Sequence, residues 1–381
     1  MKVVIVGGDG FCGWPTSLHL AKNGYDILII DNLSRREIDN QINSNSLTNI
    51  ASIDDRISYA NRNNFKVNFE KIDVAKQYNQ FLDIIKKFKP DAIVQFGEQR
   101  AAPYSMIGDK ERRYTVDNNI SATHNICSAI IETDKKIHLV HLGTMGVYGY
   151  SKEMGPTPEG YLDVTINQTQ MKKEILFPVN PGSVYHMTKC LDQIMFQFYH
   201  KNWGIRVTDL HQGIVWGTQT EETKLHEKLV NRFDYDGIYG TVLNRFIVQA
   251  VNNHPLSVYG NGGQARAFIH ISDTAKCIEL ALKNHKFENK KVRIFNQVSE
   301  VYKVKELAEL ISKKFNVNID YLDNPRKELA ENDLEVSNKG FMNLGFEPIL
   351  LSDGLVEDVK FIANERKESF NKKNVNNSPS W

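Results

Sequence analysis

The sequence predicts an α/β protein in which helices cover both faces of a mostly parallel sheet. Over the first two-thirds of the chain, short apolar runs rich in β-branched residues alternate with longer amphipathic runs. A glycine-rich loop at residues 7–13 follows the first apolar run and precedes a helical segment. These observations predict a Rossmann-type, doubly wound sheet over residues 1–210 and a smaller C-terminal α/β lobe. We expect residues near 265–298 to return to the first domain, and residues 211–264 and 299–381 to form the lobe and a tail.

The predicted elements follow from the hydrophobic period along the chain. Short runs of β-branched and aromatic residues, as expected for strands covered on both faces, occur at residues 2–6, 26–31, 92–96, 138–142 and 206–210. Amphipathic helical patterns occur at residues 14–23, 80–87, 118–132, 183–201, 239–252 and 304–315. Prolines and glycines between residues 255 and 263 predict a loop, and the polar tail after about residue 364 is predicted to fray.

Composition argues against several classes of protein. A hydrophobic fraction of 41%, a charged fraction of 24% and a net charge of +1 are ordinary, and they give no electrostatic reason to expect nucleic acid as a partner. The four cysteines have no metal-binding or redox spacing, which favours reduced structural thiols and no bound metal. The chain begins with a strand-like run and has no long apolar span, so we expect no signal peptide, no membrane insertion and a cytoplasmic location.

The glycine loop is a candidate dinucleotide site. Gly7, Gly10 and Gly13 follow the pattern Gly-x-x-Gly-x-x-Gly, and small residues there let the backbone approach a pyrophosphate at a helix N-terminus. The alternative is an ordinary glycine-rich turn. Asp31 ends the next strand about twenty residues further on, where a carboxylate binds the ribose hydroxyls and repels a 2′-phosphate. The combination predicts NAD rather than NADP as the cofactor.

Other residues at the same sheet edge complete the predicted cofactor site. Arg35 and Arg36 lie past the second strand and are predicted to serve the adenine edge or the substrate. Asp73 and Val74 follow a further strand-like run and would hold the adenine ring, unless the aspartate is simply a loop residue. The remaining predicted contacts to the cofactor are Phe11, Cys12, Asn32, Phe96, Gly97 and Asn119, together with Tyr185 and Lys189.

A tyrosine and a lysine four residues apart are the candidate reaction centre. Tyr185 and Lys189 share one face of a predicted helix, where the ammonium favours the phenolate and can also bind the nicotinamide ribose. Chance pairing on a solvated helix is the alternative. Thr144 follows the strand at 138–142, at the edge where ligands collect, and its hydroxyl can bond the reacting oxygen. His186 is either a proton carrier in the pocket or a packed side chain.

Several polar residues are candidate contacts to the substrate. Gln99 and Arg100 follow the strand at 92–96, where an ordinary solvated loop is the alternative. Arg266 and Arg326 are candidates to clamp a diphosphate, unless they form surface salt bridges. Further candidates are Thr144, Gln212, Thr241 and Asn244.

Together these motifs resemble the extended short-chain dehydrogenase/reductases that act on nucleotide sugars, an NAD-dependent epimerase/dehydratase family. The resemblance rests on the glycine loop, Asp31, Asn119, Thr144, Tyr185-x-x-x-Lys189 and Gly263-Gln-Ala-Arg266. It is closer to the members that form a 6-sulfonated UDP-sugar, from residue 1 to about residue 353. The shared blocks are Gly7-Gly-Asp-Gly-Phe-Cys-Gly-Trp14, Asp31-Asn-Leu-Ser-Arg-Arg36, Phe96-Gly-Glu-Gln-Arg100, Ala102-Pro-Tyr-Ser-Met106, Leu142-Gly-Thr-Met-Gly146, Tyr185-His186, Asn231-Arg-Phe-Asp-Tyr-Asp236, Gly240-Thr-Val-Leu-Asn-Arg-Phe246 and Asn324-Pro-Arg326.

The resemblance implies UDP-glucose and sulfite as substrates and a tightly held NAD that is regenerated in each cycle. Oxidation at C4 acidifies the C5 proton, water leaves across C5–C6, sulfite adds at C6 and hydride returns to C4. The implied roles are Tyr185 as base, Lys189 as its tuning cation, Thr144 as the group that orients the oxygen, His186 in the C5 and C6 proton transfers, Gln99 and Arg100 near sulfite, Thr241 and Asn244 along the UDP-sugar, and Arg266 and Arg326 on the diphosphate.

The resemblance also implies a homodimer through the helices predicted at 118–132 and 183–201, and leaves open whether another protein delivers the sulfite. One residue departs from the plant-type pattern Thr-Met-Gly-Glu-Tyr-Gly, because Val147 stands where the glutamate is expected. An elimination that relies on that acid is therefore not supported, and His186 or Glu98 becomes the candidate for the proton work. A 4-epimerase or dehydratase of the same family is the alternative function. The intact Tyr-x-x-x-Lys motif disfavours a non-catalytic NAD-sensing protein.

Overall fold

The computed structural model describes residues 1–150, 156–166, 171–284, 290–353 and 356–381. Its strands are β1 Lys2–Val6, β2 Asp26–Asp31, β3 Val67–Lys71, β4 Ala92–Gln95, β5 His138–Thr144, β6 Tyr161–Ile166, β7 Met171–Leu176, β8 Arg206–Gln212, β9 Ile214–Trp216, β10 Leu256–Tyr259, β11 Gly263–His270, β12 Arg293–Gln297, β13 Glu300–Lys303, β14 Ile319–Leu322 and β15 Glu331–Asn332. Its helices are α1 Gly13–Lys22, α2 Ser34–Ile42, α3 Ile53–Arg62, α4 Tyr78–Phe88, α5 Asp109–Thr133, α6 Val184–Trp203, α7 Val242–Val251, α8 Ile271–Lys283, α9 Val304–Phe315, α10 Lys339–Asn343 and α11 Val356–Glu365.

The central sheet confirms the predicted doubly wound fold. In the described part of the chain, seven parallel strands lie in the order β12-β8-β5-β4-β1-β2-β3. The chain starts at β1, moves outward to β3 and then returns to β4, so the winding direction reverses between β1 and β4. In open α/β sheets, ligands bind beyond the carboxyl ends of the strands at such a reversal.

Most predicted elements are present, with changes at their ends. The strands predicted at 138–142 and 206–210 each run two residues further, so Thr144 and Gln212 end β5 and β8. The helix predicted to begin at residue 118 begins at Asp109. Its first turns are charged and solvated, so they carry no apolar period from which a sequence pattern could predict a helix.

The smaller lobe has its own sheets and its own apolar core. Strand β11 pairs antiparallel with β13 and parallel with β9 and β15, and β10 pairs in parallel with β14. Trp216, Phe246 and Phe268 are fully buried in this lobe. Between these strands the chain returns to the larger domain, because α8 packs on α1 and β12 pairs with β8.

The prediction of a frayed C-terminal tail is wrong. Val375 is fully buried in the core of the smaller lobe, and the Gly237 amide donates to the Asn374 carbonyl at 2.9 Å. At the end of the tail, the Trp381 backbone amide donates to the Pro325 carbonyl at 2.8 Å and its indole donates to the Gly182 carbonyl at 3.1 Å. The tail is therefore ordered by hydrogen bonds to distant parts of the fold, although its polar composition alone predicts disorder.

Within the described ranges, no helix is both long enough and apolar enough to cross a bilayer.

Candidate active site

A cavity of about 1010 Å³ opens at the carboxyl edge of the central sheet and is lined by residues of both lobes. Most of the predicted site residues lie in its wall: Gly7, Gly10, Phe11, Cys12, Asp31, Asn32, Arg35, Val74, Phe96, Gly97, Gln99, Arg100, Thr144, Tyr185, His186, Lys189, Gln212, Thr241, Arg266 and Arg326. Four predicted residues, Arg36, Asp73, Asn119 and Asn244, lie outside this wall.

The glycine loop fits a dinucleotide because its backbone packs too closely for side chains. A Cβ on Gly7, whose φ is +79°, would lie 2.5 Å from the Gly97 nitrogen, and one on Gly13 would lie 2.2 Å from the Gly7 oxygen. Gly10 differs, since a Cβ there would meet only the Gly7 oxygen, at 3.2 Å. The loop therefore closes tightly at the switch between β1 and β4 and leaves Gly10 facing the cavity, as a pyrophosphate requires.

The adenosine end of the cavity has the expected acid and an apolar wall. The Asp31 carboxylate accepts hydrogen bonds from the Asp9 amide at 3.0 Å and the Leu33 amide at 2.7 Å. Burial, together with the nearby Asp9 carboxylate, raises the pKa of Asp31 to about 6. Val74 and Ala75 form the apolar wall next to it. The residues present fit the ribose and adenine of NAD.

Three residues predicted to contact the cofactor, Arg36, Asp73 and Asn119, lie behind the cavity wall. Arg36 reaches back to the glycine loop and binds the Asp9 carboxylate at 2.6 Å. Asp73 accepts from the Asn32 amide at 3.2 Å outside the cavity wall. Asn119 is buried and bonds the backbone of Gln99 in both directions. These residues support the wall from behind, and Asn118 lies in the wall beside Asn119.

Two predicted substrate contacts are also used within the fold. Asn244 bonds both the amide and the carbonyl of Gly217, at 3.0 and 3.2 Å, so it fixes a loop of the smaller lobe. Gln99 lies in the wall, but its amide nitrogen donates to the Ala101 carbonyl and the Thr115 hydroxyl. Both side chains shape the cavity walls rather than presenting free polar groups.

The three residues of the candidate reaction centre, Tyr185, Lys189 and Thr144, all line the cavity. The hydroxyl of Ser183 caps α6 by accepting from the His186 amide, which begins the helix just before the tyrosine. Burial raises the pKa of Tyr185 above its ordinary value, although the Lys189 ammonium and a hydrogen bond with Thr144 act in the opposite direction. Without a bound cofactor, burial therefore outweighs the stabilisation of the phenolate that the sequence predicted.

Lys189 is held from several sides. Its ammonium lies 2.9 Å from the Glu98 carboxylate and 3.0 Å from His141 Nε2, and it donates to the Leu142 carbonyl at 2.6 Å. Burial alone would lower the pKa of Lys189, but Glu98, Tyr185 and Asp192 together raise it to about 12. The lysine is therefore a permanent cation beside the phenol.

Sequence reasoning missed the buried charges behind Lys189. His141 contacts Glu98, Asp192 and Asp209, and all four side chains are buried. A signal was present, because strands β5 and β8, which are predicted to be covered on both faces, carry His141 and Asp209 at internal positions. Polar residues inside fully covered strands need buried partners and so indicate a network.

His186 lies in the cavity wall as a neutral, buried imidazole. Burial and the charges of Arg326 and Arg266 lower the pKa of His186 to about 3. A Cβ on Gly146 would lie 2.3 Å from the ring, so the ring packs directly on this glycine. Nδ1 of His186 has no hydrogen-bond partner among the residues that the structure describes.

Val147 does not occupy the place of a catalytic acid. Its side chain is buried in an apolar cluster with Met145, Tyr148 and Cys190, outside the cavity wall. The proton work expected of a glutamate at this position therefore needs another group, and His186 is the neutral side chain that faces the cavity nearby.

The wall contributed by the smaller lobe carries two arginines. The Arg266 guanidinium binds Glu328 at 2.5 Å and lies 4.1 Å from the ring of Tyr150, which sequence analysis missed. Burial lowers the pKa of Arg326, whose guanidinium lies 5.1 Å from the ring of Trp381. Two guanidinium groups and one carboxylate leave a net positive charge at this end of the cavity, which suits a diphosphate.

A second group of cations lies near the glycine loop. Asp234 binds Arg100 at 2.7 Å, Arg35 at 3.2 Å and Arg232 at 3.3 Å, and Arg35 and Arg232 also bind Asp39. Burial would raise the pKa of Asp234, but the three guanidinium groups hold it at about 2. Three cations and two carboxylates leave one positive charge, and Arg100 is the most exposed of the three arginine side chains.

Comparison with known proteins finds a matching family model and two relatives with the same named activity. The sequence model of the NAD dependent epimerase/dehydratase family matches residues 3–296. The chain is 42% identical over 391 residues to a chloroplastic UDP-sulfoquinovose synthase of Spinacia oleracea, covering 100% of this chain and 79% of that protein. It is 39% identical over 372 residues to a UDP-sulfoquinovose synthase of Sulfolobus acidocaldarius, covering 96% and 92% of the two chains.

Solved structures with the same fold are more distant in sequence. UDP-glucose 4-epimerase of Thermotoga maritima, crystallised with UDP-glucose, superposes with a TM-score of 0.69 at 19% identity, covering 97% of this chain and 99% of the epimerase chain. The likeness establishes that the two chains share a fold.

Proposed function

This chain belongs to the NAD-dependent epimerase/dehydratase family, and from that premise we propose that it converts UDP-glucose and sulfite into UDP-sulfoquinovose. The observation that carries the proposal is the placement of Thr144, Tyr185, Lys189 and His186 around one cavity whose far wall holds Arg266. Relatives that carry this activity in their names match nearly the whole chain at 42% and 39% identity.

The cofactor is NAD, and the residues around the glycine loop and Asp31 fit it. It supplies a hydride acceptor for C4 of the sugar, which later gives the hydride back. A redox cofactor is needed without net redox change, because a ketone at C4 acidifies the C5 proton and so permits loss of water across C5–C6.

The phenol and the lysine carry out the first and last proton transfers. Tyr185 removes the proton of the C4 hydroxyl as the C4 hydride leaves, and returns that proton when the ketone is reduced. Lys189 stabilises the phenolate by its charge, and the Thr144 hydroxyl orients the sugar oxygen. In the protein alone, Thr144 accepts a hydrogen bond from the Gly146 amide at 3.1 Å, which fixes its rotamer.

His186 is the group we assign to the middle of the reaction. Its neutral imidazole takes the C5 proton and supplies one to the departing C6 hydroxyl. A bound diphosphate would offset the charges of Arg266 and Arg326, which otherwise depress the pKa of His186. Hydrogen sulfite then adds to C6 through sulfur, and its proton goes to C5. Arg100 is the cation that we place near the incoming anion.

The assembled protein is proposed to be a homodimer. Met187, Leu191, Ile194 and Phe198 recur on one face of α6 and are 37–54% exposed. Their spacing of four, three and four residues makes a continuous apolar stripe, the kind of surface that two copies of a helix bury against each other. A sulfite-supplying partner and a cytoplasmic location remain predictions.

Product analysis tests the proposed function. Purified protein is incubated with UDP-glucose, with and without sulfite, and the nucleotide sugars are separated by chromatography and identified by mass spectrometry and by comparison with standards. We expect a sulfonated UDP-hexose that requires sulfite. UDP-galactose in both incubations would instead identify a 4-epimerase, and a 4-keto-6-deoxy sugar would identify a dehydratase.

The matched variant is Tyr185→Phe, which removes only the phenol oxygen. We expect it to retain bound NAD and to lose product formation by about 10²–10⁴-fold, the usual contribution of a positioned acid–base group. Unchanged turnover in this variant would refute the assignment of the base.

A further inference from the structure

Glu98 forms a buried ion pair with the lysine of the reaction centre. Its carboxylate lies 2.9 Å from the Lys189 ammonium, and both side chains are almost fully buried. A lysine in this position is expected to favour the phenolate of Tyr185 because its charge is not neutralised. Here a carboxylate neutralises it at close range.

The carboxylate is fixed by groups from three elements. His141 on β5 lies 3.0 Å from Glu98, and the Thr123 hydroxyl on α5 donates to the same carboxylate at 3.4 Å. On β8, Asp209 binds the other nitrogen of His141 at 2.8 Å. The position of Glu98 therefore does not depend on a bound substrate.

The same chain of contacts continues away from the cavity. Asp209 binds His211 at 3.1 Å, His211 lies 2.7 Å from the Tyr148 hydroxyl, and that hydroxyl donates to the Asn296 side chain at 2.9 Å. Each of these side chains is buried. The network runs into the core, so it anchors charge behind Lys189 rather than opening a route toward the surface.

The charges of this cluster are close to balance. Burial alone would raise the pKa of Glu98, but Lys189 and His141 lower it, so the carboxylate is ionised. Burial and Lys189 oppose the charge on His141, whereas Asp209 and Asp192 raise its pKa to about 10. Around Tyr185 the charged groups are then Lys189 and Arg100, which favour the phenolate, and Glu98, which opposes it.

The proposed reaction uses the phenol twice in one turnover. The O4 proton moves to Tyr185 as hydride leaves C4, and both return to the same atoms when the ketone is reduced. A phenol that is too acidic would hold the O4 proton weakly and return it before the middle steps are complete. A carboxylate paired with Lys189 shifts the phenol toward holding the proton until the last step.

We propose that Glu98 is a positioning residue that acts through Lys189: its fixed carboxylate offsets the effect of the ammonium on Tyr185, so that the phenol retains the O4 proton until the C4 ketone is reduced. This role rests on the proposed use of Tyr185 as a reversible base, and it applies to any reaction at this site that passes through a C4 ketone.

The test is the titration of Tyr185 in the Glu98→Gln variant. Glutamine has nearly the same shape as glutamate but carries no charge. The phenolate absorbance is followed against pH in the NAD-loaded protein without substrate, and the signal of Tyr185 is isolated by subtracting the same titration in a Tyr185→Phe background. We expect the midpoint to fall by about one pH unit, since removal of a nearby negative charge favours the phenolate. A midpoint that stays in place or rises would overturn the proposal.

Two further variants control for structural damage. Asp192→Asn removes a carboxylate that contacts His141 at 3.5 Å rather than the lysine, and it should move the midpoint far less. Glu98→Asp keeps the charge but withdraws it from Lys189, so a partial shift in the same direction is expected. If Glu98→Gln does not fold, an unshifted midpoint in Glu98→Asp overturns the proposal by itself.

Turnover gives a second readout that separates this inference from the proposed function. With UDP-glucose and sulfite, Glu98→Gln should accumulate several-fold less reduced cofactor than the wild type, because a more acidic phenol favours return of the proton to O4 and reduction of the ketone. A wild-type protein that forms no sulfonated product would contradict the proposed function but leave the substrate-free titration intact as a test of Glu98.

Discussion

At the scale of single residues, His186, to which we assign the C5 proton, shows how neighbours in space determine the position and charge of a side chain. The residue follows Tyr185 in sequence, yet both side chains line the same cavity because α6 begins at this point and its first turn faces the sheet edge. Gly146 provides the space, since a Cβ there would overlap the imidazole ring.

We predict that His186→Gln uncouples the two halves of the reaction. C4 oxidation should persist, seen as formation of reduced cofactor with UDP-glucose, whereas exchange of the C5 proton with deuterated solvent should fall by about 10²–10⁴-fold. The exchange is measured by mass spectrometry of the recovered sugar.

Gly146→Ala is the matched variant for this prediction, because its methyl group would displace the ring without removing it. It should also slow C5 exchange while NAD stays bound. Normal exchange in both variants would show that His186 does not carry the C5 proton.

At the scale of elements, helix α1 is tied to the return segment by a histidine. His19 lies 3.0 Å from Glu279 on α8 and 3.6 Å from Glu222. Burial alone would lower the pKa of His19, but hydrogen bonds and charge interactions with Glu222 and Glu279 raise it to about 9. The protonated ring therefore links α1, which follows the glycine loop, to the return segment.

We predict a loss of stability between about pH 6.5 and pH 9 from this group. Because the folded-state pKa is raised, its contribution is fully present below the unfolded pKa and disappears as the pH rises through the folded pKa. Thermal unfolding should show a loss on the order of 2 kcal/mol across this window, and His19→Gln should flatten it. An equal loss in the variant would place the effect at another group.

The C-terminal tail is the second element whose role only the folded chain reveals. Val375 lies in the core of the smaller lobe, whereas Trp381 lies in the cavity wall near Arg326. The C-terminal tail therefore contributes both to the core of the smaller lobe and to the wall of the cavity.

We predict that deleting residues 371–381 lowers the free energy of unfolding by roughly 2–4 kcal/mol, because it removes a fully buried side chain and leaves a cavity. Trp381→Ala is the matched control, and it should weaken UDP-glucose binding several-fold while leaving thermal stability and bound NAD nearly unchanged. Calorimetry measures both quantities. Undiminished affinity in Trp381→Ala would remove the indole from the substrate site.

At the scale of the whole molecule, the exposed stripe of α6 and the reaction centre lie on opposite faces of one helix. Tyr185 and Lys189 point inward, and Ile194 and Phe198 point outward. Dimerisation through this helix would therefore fix the position of the helix that carries Tyr185 and Lys189.

We predict that the double substitution of Ile194→Glu and Phe198→Glu converts a dimer into a monomer, weakening association by at least about 100-fold. Sedimentation at several concentrations measures the mass. Leu225→Glu, at a residue of similar exposure away from the stripe, should leave the dimer intact. A dimer that survives the double substitution would place the interface on another surface.

The local pattern of the sequence determined the fold and the centre of the site. Strands covered on both faces must be apolar runs, which located β1, β2, β4, β5 and β8. The spacing of the glycines and of Tyr185 and Lys189 is set by backbone geometry within a few residues. The shape of the glycine loop and the shared helix face of Tyr185 and Lys189 were therefore predictable without knowledge of distant contacts.

The tertiary structure decided which polar residues face the cavity and which hold its walls. Asn119 and Asn244 bond the backbone of other segments, and Glu98 pairs with Lys189. These contacts join residues 20 to 91 positions apart in sequence. The tail was ordered by buried contacts of the same long range. Hydrogen bonds and burial are set by proximity in space, and a local pattern carries no information on which distant residues meet.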